Sequence, residues 1–173
     1  MQALEFWKTV TSDRSDILGD VLSALAESGI GYCVIGGQGV NAYAEPVVSL
    51  DLDLVVATAD LQEVARLFAP RFKVEFHPNS LNLARAGSDL RVQFQRDPRY
   101  ESFLAHARKA NVLGLDLPVA RVEDVLQGKV WAALDPTRRG SKRQKDLADI
   151  ARLVEAQPVL RSRVPREILD RLL

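Results

Sequence analysis

Cysteine is nearly absent from this chain. Cys33 is the single one in 173 residues, which excludes an internal disulfide and a cysteine-based zinc site. It sits in the apolar run YCVI and reads as a small core residue rather than a nucleophile. Histidine is almost as scarce: His77 and His106 stand far apart with no ligand spacing around them, and neither is assigned a role. Net charge is zero, so composition gives no general pull toward nucleic acid or membrane. No stretch approaches the ~20 apolar residues of a membrane span. The opening MQALEFWKTVTSDRSD also lacks a basic start followed by an apolar run. A cytoplasmic protein without membrane contact is expected. Trp7, Tyr32, Tyr43 and Tyr100 are too scattered to suggest a base-stacking platform, and neither an internal repeat nor a low-complexity tract is present.

What is there suits a globular domain: 47% apolar and 27% charged residues, in a chain long enough for a real core. The segment SDRSDILGDVLSALAESGI predicts an amphipathic helix capped by Ser12 or Ser15 and stopped by Gly29. GYCVIGG reads as a strand entering a double-glycine turn, and QGVNAYAE as a brief helix ended by Pro46. VVSLDLDLVVA is the central strand, and TADLQEVARLFAPR a helix with a Thr58 or Asp60 cap. FKVEFH, LNLAR and DLRVQFQ are strand candidates. DPRYESFLAHARKA predicts a turn and helix, and NVLGLDLPVA a hairpin-like extended segment. The remainder reads as helices, RVEDVLQGKVWAAL, KRQKDLADIARLVEA and PREILDRLL, with a basic loop between the first two. The fold class is α+β: a mixed sheet covered on one side, with a helical C-terminal extension. Residues 1–120 form the core, and 121–173 a helical part packed on the same domain.

The central strand carries Asp51 and Asp53 on one face, because strand side chains alternate. Two like charges roughly 6–7 Å apart repel, and burying either one unpaired is costly. A hard divalent cation such as magnesium relieves both problems and keeps positions for phosphate oxygens. A solvent-facing strand edge with two ordinary acids is the competing reading. Gly36 and Gly37 lie just upstream, where backbone N–H groups can hold phosphate, although a tight turn needing positive φ explains glycines equally well. Both features in one strand–glycine pair–helix–strand unit favour a nucleotide-phosphate site with metal carboxylates.

That order resembles the minimal nucleotidyltransferase pattern of the DNA polymerase beta-like superfamily. VEDVLQGKVWAALD followed by SKRQKDLADIARLVE is similar to the lysine helix and K-D-x-x-D helix of bacterial nucleotidyltransferase-like proteins, among them the AbiEii-type abortive-infection toxins. The resemblance runs from about Gly31 to Glu155. It implies magnesium and a nucleoside triphosphate held by Asp51 and Asp53, with the phosphates on Gly36, Gly37 and Gln38. Lys129 matches the helix lysine, and Lys145, Asp146 and Asp149 match the last motif. The activity implied is transfer of a nucleoside monophosphate to an RNA, tRNA or protein acceptor, in a toxin-type enzyme with an antitoxin partner.

One position departs from the pattern. The third carboxylate, which activates the attacking hydroxyl, should lie on DLRVQFQ, where Gln93 stands instead. An amide has no basic site near neutral pH and ligates magnesium poorly. Glu75 or Asp146 could be brought in to replace it. Left unfilled, the site fits a catalytically impaired nucleotide-binding module or a toxin–antitoxin component. Lys129 lies in a very apolar helix, where it either meets phosphate or extends to solvent. Lys142 with Asp146 and Lys145 with Asp149 have the spacing of ordinary helix ion pairs. Arg138, Arg139, Lys142 and Arg143 form a patch suited to triphosphate or an RNA backbone.

Overall fold

Short apolar runs rich in Val, Leu and Ile, broken by Gly, Pro and Asn, build a sheet, and longer amphipathic runs build the helices around it. The structure, a computed structural model, describes residues 2–12 and 16–172. The helices are α1 (Ala3–Val10), α2 (Ile17–Ser28), α3 (Gly36–Asn41), α4 (Leu61–Phe68), α5 (Val122–Leu134), α6 (Gly140–Ala156) and α7 (Arg166–Leu169). The strands are β1 (Tyr32–Ile35), β2 (Asp51–Val56), β3 (Lys73–Phe76), β4 (Ser80–Ala84), β5 (Arg91–Gln95), β6 (Arg108–Val112) and β7 (Leu115–Val119). They join in one sheet of order β3-β4-β5-β2-β1-β7-β6. The β2–β5 and β1–β7 pairs are parallel and the others antiparallel. The expected mixed α+β fold is present. Among the described residues no helix is long and apolar enough to cross a membrane.

The sheet is covered on both faces, not one. Leu52, Leu54 and Phe94 pack against Ile17, Val21, Leu25 and Phe68 on one side. Cys33 and Val55 pack against Val40, Leu126 and Ile150 on the other. The reason lies in YCVI and in Leu54–Val56, whose continuous apolar runs supply side chains to both faces, as central strands of two-sided sheets do. Cys33 is fully buried, and that burial pushes its thiol up to about 12, with Asp124 adding to the rise, as a core residue requires.

Several boundaries differ from the sequence expectation. The cap of α2 is Asp16, whose side chain accepts from the Gly19 N–H; Ser12 lies outside the helix, and Ser15 lies outside the described residues. Gly29 does stop α2, with φ +73°. Helix α3 begins at Gly36 itself and ends at Asn41, before Pro46 is reached. Strand β2 begins at Asp51; Val47, Val48 and Leu50 are exposed loop residues ahead of it. Thr58 and Asp60 form a 3-10 turn, and the Thr58 hydroxyl donates to Glu101 rather than capping α4. Residues Pro98–His106 are 3-10, and Arg108–Ala110 belong to β6 rather than to a helix. Helix α6 starts at Gly140, two residues before the expected Lys142, and runs through Lys142 and Arg143 to Ala156. Helix α1 was not predicted. It is short, and Trp7 anchors it by donating its indole N–H to the Ser49 carbonyl at 2.6 Å.

Candidate active-site cleft

Asp51 and Asp53 share parity with Val55, so they project on the face that carries α5 and α6. There they line a cleft of about 220 Å³. Gly36, Gly37, Gln93, Lys129, Lys145 and Asp146 line the same cleft; Asp149 does not, and neither does Gln38. Gln38 is buried at 1% exposure, and its Nε2 donates to the Ser49 carbonyl at 3.3 Å, tying α3 to the segment ahead of β2. Its assigned role on the phosphates is therefore withdrawn for the side chain.

The glycine pair is dictated by close approach. Gly36 has φ +65°, and a Cβ there would overlap Asp53 Oδ2 and sit 2.7 Å from its Cγ. A Cβ at Gly37 would come within 2.8 Å of Ser49 Oγ and 3.9 Å of Lys145 Nζ. Backbone, hydroxyl, carboxylate and ammonium thus crowd one wall. The Ser49 hydroxyl was missed in the sequence, although it stands only two residues before Asp51, in the loop that leads into β2.

Around the carboxylates the charges are arranged in layers. Arg91 Nε donates to Asp51 Oδ1 at 3.0 Å, and Lys142 Nζ lies 4.0 Å from Asp51 Oδ2. Deeper, Lys129 Nζ sits 3.1 Å from Asp146 Oδ1 and 2.8 Å from Asp149 Oδ2. Arg138 holds the other oxygen of Asp146 at 2.9 Å, and Arg152 that of Asp149 at 2.8 Å. The expected Lys142–Asp146 and Lys145–Asp149 helix pairs are replaced by this network. Burial alone would lower the Lys129 pKa, but Asp149 and Asp146 outweigh it and hold the ammonium above its ordinary value. Lys129 neither extends to solvent nor stands uncompensated. The basic patch is likewise divided, since Arg143 donates to the Asp135 and Arg138 carbonyls and Arg138 turns inward.

Parallel pairing of β2 with β5 places Gln93 directly beside Asp53 and Arg91 beside Asp51. Glu75 is no substitute: it lies on β3, two strands beyond β5, paired with Lys73 at 2.8 Å. Asp146 lines the cleft but is committed to Lys129 and Arg138. Asp124, which the sequence reading passed over, also lines it and is held by His106 at 3.2 Å and Arg121 at 3.1 Å. Among the described residues no group of three or more Asp, Glu, His or Cys is placed to hold one ion. The structure also gathers Tyr100, Phe103 and Trp131, with ring centroids 5.1–5.8 Å apart, and the first two reach the cleft. Trp131 joins Tyr100 and Phe103 from about thirty residues further along the chain, which is why the spacing hid the cluster.

Burial pushes the Asp53 carboxyl up to about 6; Lys129 opposes the rise and the charge of Asp51 adds to it. Two carboxylates facing one cleft, one of them resisting ionisation, are a donor set that a hard dication fits. The folded pKa lies above the usual 3.8, so the folded protein holds an extra proton between about pH 4 and 6. Stability from this group is therefore lost as pH rises through that window and stays lost above it. The gap corresponds to roughly 3 kcal/mol at most. In metal-free protein, Asp53→Asn should accordingly be more stable than the parent at pH 7.5 and equal to it at pH 4, by urea unfolding. A variant less stable at pH 7.5 would refute the assignment.

No family model matches the sequence, and no curated protein is significantly similar to it. Solved structures do match in fold. The antibiotic-resistance factor ANT(2'')-Ia superposes with TM-score 0.56 at 16% identity, covering 89% of this chain and 93% of its own. The lincosamide antibiotic adenylyltransferase LnuA gives 0.54 at 14% identity, covering 79% and 95%. A nucleotidyltransferase-like protein from Paracoccidioides brasiliensis gives 0.52 at 19% identity, covering 86% and 75%. The chain has the nucleotidyltransferase fold.

Proposed function

We propose that this chain is a magnesium-dependent nucleotidyltransferase that moves a nucleoside monophosphate from a nucleoside triphosphate to an acceptor hydroxyl. The observation that carries the reading is the assembly of Gly36, Gly37, Asp51, Asp53 and Lys145 around one cleft. Asp51 and Asp53 would hold the magnesium, which when bound supplies positive charge to the triphosphate oxygens. The bare backbone at Gly36 and Gly37 lets phosphate approach closely, and Lys145 and Lys142 supply ammonium groups beside it. Lys129, neutralised by Asp146 and Asp149, fixes α5 and α6 relative to each other and so sets the far wall. In the reaction the acceptor oxygen attacks the α-phosphorus, the bond to the β-phosphate oxygen breaks and pyrophosphate leaves. The hydroxyl proton passes to solvent, because the Gln93 amide beside Asp53 cannot take it.

That amide favours a second reading, a module that binds the nucleotide and transfers it slowly or not at all. Loss of a general base costs on the order of 10²–10⁴-fold while leaving positioning intact. For the acceptor, ANT(2'')-Ia is known in complex with adenylyl-2''-tobramycin, and LnuA with lincomycin. A polyhydroxylated small molecule therefore stands beside RNA, tRNA and protein as an acceptor class. A toxin-type role with an antitoxin partner draws its support from the sequence of the C-terminal helices.

The test is calorimetric titration with ATP, GTP, CTP and UTP, with and without magnesium, using Asp51→Asn/Asp53→Asn as control. Magnesium-dependent binding that disappears in the double variant is expected. Binding of no triphosphate would remove both readings. Binding without turnover on any acceptor would select the second.

A further inference from the structure

On the cleft side, β5 presents the row Arg91, Gln93, Gln95, with no acid in it. Arg91 and Gln93 are the in-register neighbours of Asp51 and Asp53. We propose, resting on the nucleotide reading above, that this site takes a single divalent cation, the one carried by the triphosphate. The Arg91 guanidinium stands where a second cation would otherwise share Asp51.

Three observations carry this. A second dication needs ligands of its own, and among the described residues no third acid, histidine or cysteine joins the pair. Magnesium dehydrates reluctantly and is poorly served by a neutral amide, so Gln93 does not supply the missing ligand. Asp51 is also divided between partners. Its Oδ1 is taken by Arg91 Nε at 3.0 Å, and Lys142 stands 4.0 Å from Oδ2. A carboxylate that gives one oxygen to each of two ions needs both oxygens free, and here Oδ1 is already paired with a guanidinium. A further dication beside that guanidinium would meet like charge, whereas the dication brought by a triphosphate arrives with compensating negative charge. The Arg91 side chain is 52% exposed, so it adjusts at the cleft edge without unpacking the core. Arg91 is thus a positioning residue, fixing which oxygen of Asp51 faces the ion.

The experiment counts manganese ions per chain by electron paramagnetic resonance, in the presence of a saturating non-hydrolysable nucleoside triphosphate. The full chain should bind one ion. Arg91→Gln/Gln93→Asp, which removes the guanidinium and restores the acid, should bind two. Arg91→Gln by itself should tighten nucleotide-free manganese binding by about fivefold, the most a partly exposed ion pair can hold back. Two ions in the parent chain would overturn the proposal. So would a double variant that stays at one ion while keeping the parent melting temperature, or Arg91→Gln binding manganese no more tightly. The supporting reading fails differently: no manganese uptake in the parent with any triphosphate would remove the nucleotide site and this inference with it. One ion per chain retained in Asp51→Asn/Asp53→Asn would place the metal elsewhere and overturn both.

Discussion

Replacing Lys129 by methionine should lower folding stability by about 3 kcal/mol in urea unfolding, the low end of what breaking a buried ion pair costs. The lysine side chain is 10% exposed, and those of Asp146 and Asp149 are 1% and 3% exposed. Methionine fills the space and removes the charge, leaving two carboxylates in a dry site. Arg138 and Arg152 remain on their other oxygens, which keeps the loss from being larger. The Lys129 pKa is raised on folding, so its contribution is fully present below the unfolded value and disappears as pH rises through the folded one. At pH 7 the whole effect should be visible. If electrostatics are responsible, Lys129→Met/Asp149→Asn should recover at least half of it. A loss below about 1 kcal/mol in the single variant would mean that the carboxylates are satisfied without the lysine.

On the proposed function, Gly36→Ala should weaken magnesium–triphosphate binding on the order of 10–100-fold, the loss that follows when the surroundings orienting a metal ligand are disturbed. Two costs meet at this residue. Its φ of +65° disfavours alanine by about 1–2 kcal/mol. The added methyl group would also occupy the space of the Asp53 carboxylate, which has to move for the chain to fold. Gly31→Ala, where a Cβ meets nothing within 4 Å, is the matched control and should change neither stability nor binding appreciably. Equal affinity in Gly36→Ala and the parent, by calorimetry, would sever the glycine from the proposed nucleotide site.

Local chemistry made much of this site legible. The D-x-D alternation placed both acids on one face, the glycine pair marked a close approach, and the family resemblance put Gln93 in the slot of the third carboxylate, which the strand register sets beside Asp53. What escaped depends on distant partners. Lys129 was read for phosphate or solvent, because nothing in LQGKVWAAL reveals that α6 brings two buried acids to it. Gln38 sits beside the glycines but faces the Ser49 carbonyl, and helix periodicity over six residues cannot decide such an orientation. Helix α1 is too short to hold by propensity and forms where Trp7 finds a carbonyl 42 residues away. The second covered face of the sheet was implicit in YCVI, whose continuous apolar character does not alternate.

Arg152 on α6 donates to Asn41 Oδ1 at 2.8 Å and to the Glu45 carbonyl at 2.5 Å, across 111 and 107 residues. Asn41 in turn exchanges hydrogen bonds with Val47, at 2.8 and 3.0 Å, on the approach to Asp51. The loop that delivers the carboxylates is therefore fastened by a residue synthesised 111 positions after Asn41. Translation at roughly 5–20 residues per second leaves several seconds between the emergence of Asp53 and that of Arg152. Throughout that interval the nascent chain carries the acids without their clamp, so the metal–nucleotide affinity proposed for the cleft should arise late and abruptly rather than accumulate with length.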